Sequence, residues 1–426
     1  MDDLGFLTPA DAGTGGAGGG GGSSHSLTQA DASAGGAGST ADGSDAAISG
    51  SAGQGGGGEP GMLSHDALCA PTPVGMPACD PTRAVFARAL CTCADMSGTG
   101  SLTVASLDGT RPANVGVNGV FSLRLDQRAL STTSAGGVAG DLVIASTSIT
   151  PLSGSAPLIA GDLKVGGSLA FASNVHVQGS TWSHEQPAGN GTLRIDGDLH
   201  HSALRPMPPN VFVAGSEVVE AYSTAAPCTC GAQQPLDIAQ VVAHGASDND
   251  DAAAKLTPDA LVNAPATREL DCGRYYLDAV SAPGDLTLTL SGRTAIYVAS
   301  DFTVHGDLDV VLQPGAELDL WIGGSLSIGG AARFGDPSRP SAARVYVAGS
   351  VAFSVMPDKP VFPKPTSASG DAVLVGNLYA PKATLQLSPH TDVYGALFTQ
   401  SLVVLQSLQM HYDPAVAAAA GGGCGG

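Results

Sequence analysis

Two groups of residues in this chain have types and spacings that could do chemistry. The first is cysteine. Of the eight cysteines, Cys69, Cys79, Cys91, Cys93, Cys228, Cys230 and Cys272 fall between residues 66 and 273, and Cys424 stands in the C-terminal tail. In an exported protein such a set reads as disulfides that pin non-repetitive stretches to a repetitive body, each contributing about 2–4 kcal/mol by closing a long loop. Two Cys-Thr-Cys triplets, 91–93 and 228–230, offer a sharper alternative, a zinc site built from both. Zinc sites favour two to four residues between ligand cysteines, so one residue fits them poorly. Free buried thiols are the third reading. Spacing does not give the pairing; with seven cysteines in the body, one is either free or paired with Cys424. The second group is Asp248-Asn249-Asp250-Asp251, four hard oxygen donors that could hold Ca²⁺. The stretch lacks the glycine and the closing glutamate of an EF-hand loop, and Asp and Asn are also ordinary turn and helix-cap residues. The sequence predicts no cofactor, and the turn or cap reading of these four residues is favoured over calcium.

Other candidates are thinner. Glu185 lies beside Trp182 and His184 and could touch a sugar, but a glycosidase needs two carboxylates. His200-His201 and His411 have no companions at metal-ligand spacing, and no Gly-x-Ser-x-Gly elbow occurs. The sequence therefore does not predict an enzyme.

These residues must be positioned by an unusual polymer. Lys and Arg number 18 against 38 Asp and Glu, a formal net charge of −20, and only 13% of residues are charged and 5% aromatic. That acidity excludes a nucleic-acid footprint, and no apolar run is long enough to span a membrane as a helix. Residues 1–60 hold 19 of the 59 glycines and neither Lys nor Arg. Residues 1–65 therefore read as a disordered Gly/Ala/Ser-rich tether. Met1-Asp2-Asp3 opens no signal peptide, so either the protein is cytoplasmic or the true start lies upstream; a tether at the N-terminus favours the second.

From residue 98 a short motif recurs: Gly, then Asp or Ser, then alternating apolar residues. Examples are Gly140-Asp141-Leu142-Val143-Ile144, Gly161-Asp162-Leu163-Lys164-Val165, Gly284-Asp285-Leu286-Thr287-Leu288 and Gly306-Asp307-Leu308-Asp309-Val310. The offsets between such glycines are 21 from Gly140 to Gly161, 22 from Gly284 to Gly306, 18 from Gly306 to Gly324 and 25 from Gly324 to Gly349. Period-2 strands recurring at coil spacing predict an all-β, right-handed parallel β-helix, a solenoid. Its corner glycines would use positive φ, and Asp141, Asp162, Asp198, Asp285 and Asp307 would serve corner turns. An irregular β-sandwich is the competing fold. Two stretches break the pattern. Residues 81–93 read as a short helix led by Pro81 and capped by Asp80, which would cover an open solenoid end within a Cys-containing cap, 66–97. Residues 235–263 read as a partly helical insertion between early and late coils. The solenoid then spans 98–414, and 415–426 is a flexible tail.

The later half carries Gly273-Arg274-Tyr275-Tyr276-Leu277, Ala295-Ile296-Tyr297-Val298, Gly376-Asn377-Leu378-Tyr379-Ala380-Pro381-Lys382-Ala383, Val393-Tyr394-Gly395-Ala396-Leu397-Phe398 and Met410-His411-Tyr412-Asp413. This order, over about residues 66–414, resembles an uncharacterised bacterial extracytoplasmic domain with a β-solenoid C-terminal half. That domain occurs in secreted proteins and lipoproteins and beside PilX-like pilus-assembly segments. The resemblance implies an extracellular or envelope location and carries no catalytic residues.

Three functions follow as expectations. The first is a non-enzymatic structural or adhesion-type solenoid outside the cytoplasm, with envelope components or glycans as partners. The second is a cytoplasmic scaffold that polymerises end to end, resembling bactofilins. The third is a polysaccharide-active β-helix enzyme, which would need a carboxylate pair on one face.

Overall fold

In the computed structural model the described residues are Cys69 and 81–421, except 110, 126–136, 149, 155–157, 203–205, 232–233, 264–265, 354–371 and 389. The expected tether, Cys79 and Cys424 lie outside them.

The fold is a parallel β-solenoid of about 12 turns. Its unit is visible in four strands, Leu142–Ile144, Leu163–Val165, Thr181–Ser183 and Leu199–His201, each of which buries its first and third residues. Pairing is parallel and in register, so Leu142, Leu163, Thr181 and Leu199 stack one above another. Each inward apolar side chain thus loses its water to the coils above and below, a gain of about 1.5–3 kcal/mol per large residue.

The corners explain the Gly-Asp motif. Asp162 N–H donates to Asp141 Oδ1 at 2.9 Å, Ser180 N–H to Asp162 Oδ1 at 2.9 Å, Asp198 N–H to Ser180 Oγ at 3.0 Å and Ser216 N–H to Asp198 Oδ1 at 2.7 Å. In the later coils Asp307 N–H donates to Asp285 Oδ1 and Ala331 N–H to Asp307 Oδ1, both at 2.9 Å. Each side chain satisfies a backbone donor one coil on, which a corner outside the strand ladder would otherwise leave to solvent. The preceding glycine is needed for space. A Cβ on Gly161 would lie 2.3 Å from Asp141 Oδ1, and one on Gly306 2.1 Å from Asp285 Oδ1. This corrects the expected role for positive φ: Gly140, Gly161, Gly284 and Gly306 do not adopt it.

The order of coils differs from the order of sequence. One long sheet contains, from end to end, strands Glu217–Val219, Leu199–His201, Thr181–Ser183, Leu163–Val165, Leu142–Ile144, Val115–Val117 and Leu90–Thr92. It continues through Leu397–Val404, Asn377–Leu387, Ala343–Val347, Glu317–Ile322, Arg293–Val298 and Gly273–Leu277. The chain therefore enters at the middle. An N-terminal stack, 90–219, climbs to one end. Residues 220–266 return past it to the other end, and a C-terminal stack, 267–412, builds back to the middle. There Leu90 pairs with Leu397 and Ser101 with Ser407, a seam with ordinary parallel register.

Helical elements are few. Pro81–Phe86 is a 3₁₀ helix; α1 spans Ile238–Gly245, α2 Asp251–Ala254 and α3 Ala415–Gly421. Asp237 caps α1 by accepting from Gln240 N–H at 3.1 Å, and α1 buries Ile238, Val241 and Val242. The helix expected over 81–93 is cut short because Leu90–Thr92 is already a coil strand: Ala89 and Leu90 N–H donate to Asn114 O. The 3₁₀ helix also lies on the flank of the long sheet, where Phe86 meets Tyr346 and Tyr412 Oη donates to Phe86 O, and not over an open end. The tail beyond 415 begins as α3. No helix among the described residues is long and apolar enough to cross a membrane.

Candidate functional site

Among the described residues, six cysteines form three bridges. Cys91–Cys228 and Cys93–Cys230 have Cα atoms 5.8 and 5.7 Å apart, and Cys69–Cys272 5.4 Å. Both Cys-Thr-Cys triplets are thus used together, as two side-by-side disulfides and not as zinc ligands. They fasten the return segment to the first coil beside the seam. Gly116 makes the passage possible, since a Cβ there would sit 3.0 Å from Cys228 Sγ. Asn118 closes it from one side: its Nδ2 donates to Cys228 O at 2.8 Å and its Oδ1 accepts Cys228 N–H at 3.0 Å.

The acidic quartet is spent on the end of the C-terminal stack. Asp248 is hydrogen-bonded to the Arg274 guanidinium. Asp250 Oδ2 accepts Arg274 N–H at 2.9 Å, and the Asp251 carboxylate accepts Tyr276 N–H at 3.1 Å. Asn249 Nδ2 donates to Gly245 O at 2.9 Å, closing the C-terminus of α1. The carboxylates imitate the missing next coil by accepting from the outermost strand. Burial, with a smaller push from the charge of Asp250, raises the Asp251 pKa against the pull of the Tyr276 bond. Among the described residues no group of three or more His, Cys, Asp and Glu is placed to hold a metal ion.

The Trp182, His184 and Glu185 trio is dispersed. Trp182 stacks on His200 with centroids 4.7 Å apart, carries Lys164 Nζ 4.7 Å from its own centroid, and meets Tyr222 of the return segment at 6.4 Å. Lys164, Trp182 and His200 are register neighbours on successive coils, so the cation and the imidazole take the two faces a sugar would need. His184 and Glu185 are exposed on a corner. His411 stacks on Tyr394 at 4.4 Å with Asp392 Oδ1 3.7 Å from its Nε2.

The strongest electrostatic cluster was not singled out from sequence. Arg344 is fully buried and bonds Asp319 through Nε at 2.5 Å and Nη2 at 3.0 Å, and Glu317 through Nη2 at 3.0 Å. Arg83 from the 3₁₀ helix reaches Glu317 at 2.5 Å, and Arg293 lies 3.6 Å from Asp319. Burial alone would raise both carboxyls; Arg344, helped by Arg83 at Glu317 and Arg293 at Asp319, overrides it and holds both below the ordinary range. The two carboxylates stand on one face, as a glycosidase pair would, but both Asp319 oxygens and Glu317 Oε2 are committed to guanidinium, and Asp319 is buried. Its chemistry is a lock between the N-terminal segment and the C-terminal stack. The visible signal was charge recurring one coil apart: Arg293 is in register with Glu317, and Asp319 with Arg344.

The last coil of the N-terminal stack is different. Strands Val211–Val213 and Glu217–Val219 end both long sheets, and among the described residues no strand pairs with their outer edges. Phe212 and Val219 are 56% and 45% exposed, the two most exposed large apolar side chains described. Glu217 takes an inward position, in register with Leu199, and its carboxylate meets Nε2 of fully buried His201 at 2.9 Å.

Residues 231–419 match the model of a family described as a domain of unknown function, DUF7305. The matched span begins in the return segment, includes α1, α2 and the whole C-terminal stack, and ends within α3. No curated protein and no solved structure matches the chain.

Proposed function

We propose that this protein is a non-enzymatic structural or adhesion-type module of the cell envelope or exterior, which presents a rigid coil stack on its Gly-rich N-terminal segment. The observation that carries this reading is the set of three disulfides, closing sequence separations of 203, 137 and 137 residues. Bridges of this kind persist in oxidising compartments and are rare where thiols are kept reduced. Their placement suits load-bearing. Cys69–Cys272 fastens the N-terminal segment to the end coil, and the other two hold the return segment at the seam. Envelope components or glycans are the partners that fit this role.

The test is the intact mass of the protein from its native cells, alkylated without reduction and measured separately in cytoplasmic, envelope and extracellular fractions. An envelope or extracellular species with Cys69, Cys91, Cys93, Cys228, Cys230 and Cys272 unlabelled is expected. A cytoplasmic species with these six labelled would overturn the reading.

A further inference from the structure

The two ends of the solenoid are finished in different ways. At the closed end, α2 and the turn after it cover two strands of the outermost coil, Gly273–Leu277 and Val280–Ala282. Asp250 and Asp251 take the N–H groups of Arg274 and Tyr276, Asp278 N–H donates to Pro258 O at 2.9 Å and Ser281 N–H to Leu261 O at 2.8 Å. At the open end, among the described residues, the ladder stops at Val211–Val213 and Glu217–Val219, with Phe212 and Val219 exposed. A bare strand edge is a template for further pairing.

We propose that the open coil is a self-association surface, and that its occupant is the open coil of a second copy, giving a closed tip-to-tip dimer. Three observations select this occupant. First, a coil edge already docks on a coil edge in this molecule: the seam joins Leu90–Thr92 to Leu397–Val404 and Ser101–Ser106 to Ser407–Tyr412 by strand pairing, reinforced from the flank by Arg83 and Phe86. Second, among the described residues the closed end leaves one strand without an outer pair, Thr267–Leu270, against the two sheet ends of the open coil, so open coil on open coil is the fuller match. A contact made by the same patch on both partners closes at two. Third, Val219, at an inward position in register with buried His201, is 45% exposed at this edge, and Phe212 stands exposed on the outer face of the same coil, so a partner laid on the edge covers the first and reaches the second.

Glu217 sets the strength. It occupies an inward position where the coil beneath has Leu199, so pairing brings two copies of a carboxylate toward one apolar centre. Inward charge on an edge strand restrains pairing, and here His201 Nε2 is the group that accompanies it. Glu220, bonded to His200 Nδ1 at 2.7 Å, adds a second acid at the rim. The dimer is therefore weak, and it tightens with salt, which screens like charges.

Sedimentation equilibrium of the oxidised full chain from micromolar to several hundred micromolar tests this, wherever in the cell the protein resides. The weight-average mass should rise from 42.0 kDa toward twice that value and stop there. Glu217→Leu should lower the half-association concentration at least tenfold. Phe212→Glu, at an exposed position that does not endanger folding, should keep the protein monomeric. A mass that stays at one chain for both wild type and Glu217→Leu overturns the proposal. So does a mass that grows past two chains, because that requires an open-ended contact.

Discussion

A single row of outward-facing positions runs along the first long sheet, and its two halves live in different solvents. In the C-terminal stack it reads Tyr297, Trp321, Tyr346, Tyr379 and Phe398, beneath α1 and the Pro81–Phe86 3₁₀ helix. Trp321 stacks on Tyr346 at 3.8 Å, and Tyr379 meets Phe398 at 4.7 Å. In the N-terminal stack the row continues as Val143, Lys164, Trp182, His200 and Val218, all half-buried. Between the halves stand Cys91 and Gly116, where the return segment is bridged on. One sheet geometry thus serves two purposes. Where the flank is covered, the outward row becomes a second core and demands paired charges. Where it is open, the same positions carry residues that tolerate water.

The boundary gives the largest expected effect. Cys91–Cys228 and Cys93–Cys230 close nearly the same loop, so once one is formed the other removes little further chain entropy. Cys230→Ser with Cys93→Ser should cost under about 1 kcal/mol, whereas replacing all four cysteines by Ser should cost about 4–5 kcal/mol, the loop-closure value for a loop above 100 residues. Urea denaturation of the oxidised proteins measures both. Additive losses would mean that the bridges act through local packing and that the return segment is not what joins the halves.

Next in size is the covered half. Arg344→Ala leaves Asp319 and Glu317 buried without their main counter-charge and should cost about 3–5 kcal/mol. The pH dependence has a defined sign. Both carboxyls are lowered in the folded state, so their contribution is present at neutral pH and begins to fade as pH drops below about 4, where the unfolded carboxyls protonate. It is lost as pH falls through the folded values. Melting temperature followed from pH 7 to 2 should show this acid limb in the wild type and a smaller one in Arg344→Ala. Equal limbs would place the acid sensitivity elsewhere.

Corners are common to both halves, and Gly306→Ala tests whether they are equivalent. The new methyl would strike Asp285 Oδ1, which already holds Asp307 N–H, so strain and a loosened corner bond together should cost about 1–3 kcal/mol. Gly161→Ala, against Asp141 Oδ1, should cost the same within error. A harmless substitution at either site would show that the corner yields.

These corners also show why part of the molecule was readable. Glycine, a short acceptor and an alternating strand form a local rule, and a local rule recurs at coil spacing. The sequence does not encode which coil sits beside which, because any parallel coil edge can in principle meet any other; the start at Leu90 in the middle of the stack is set by long-range closure. The Arg344 cluster was missed for a related reason. Arg293, Glu317, Asp319 and Arg344 stand at polar-looking outward positions, and only the cover supplied by Arg83 and Phe86, more than two hundred residues away, makes them interior. Trp182 misled in the opposite sense: an aromatic beside a carboxylate looked free until Lys164 and His200, each one coil away, took its faces.

The smallest effect sharpens the comparison most. Lys164 and Arg344 are both outward cations on the same sheet, one on each half. Lys164 Nζ lies 4.7 Å from the Trp182 ring centroid and 3.5 Å from Asp162 Oδ2, with about a third of its side chain exposed. In water the ion pair is worth little, and an exposed cation–π contact about 0.5–1 kcal/mol. Lys164→Met keeps the apolar stem against the ring and removes only the charge, so it should cost under about 1 kcal/mol, a fraction of the Arg344→Ala loss. Raising the salt concentration should shrink even that difference, because solvent reaches the pair. If Lys164→Met instead matched Arg344→Ala, the return segment near Tyr222 would be sealing this half of the row as well, and the flank would be one continuous covered core with the seam bridges in its middle.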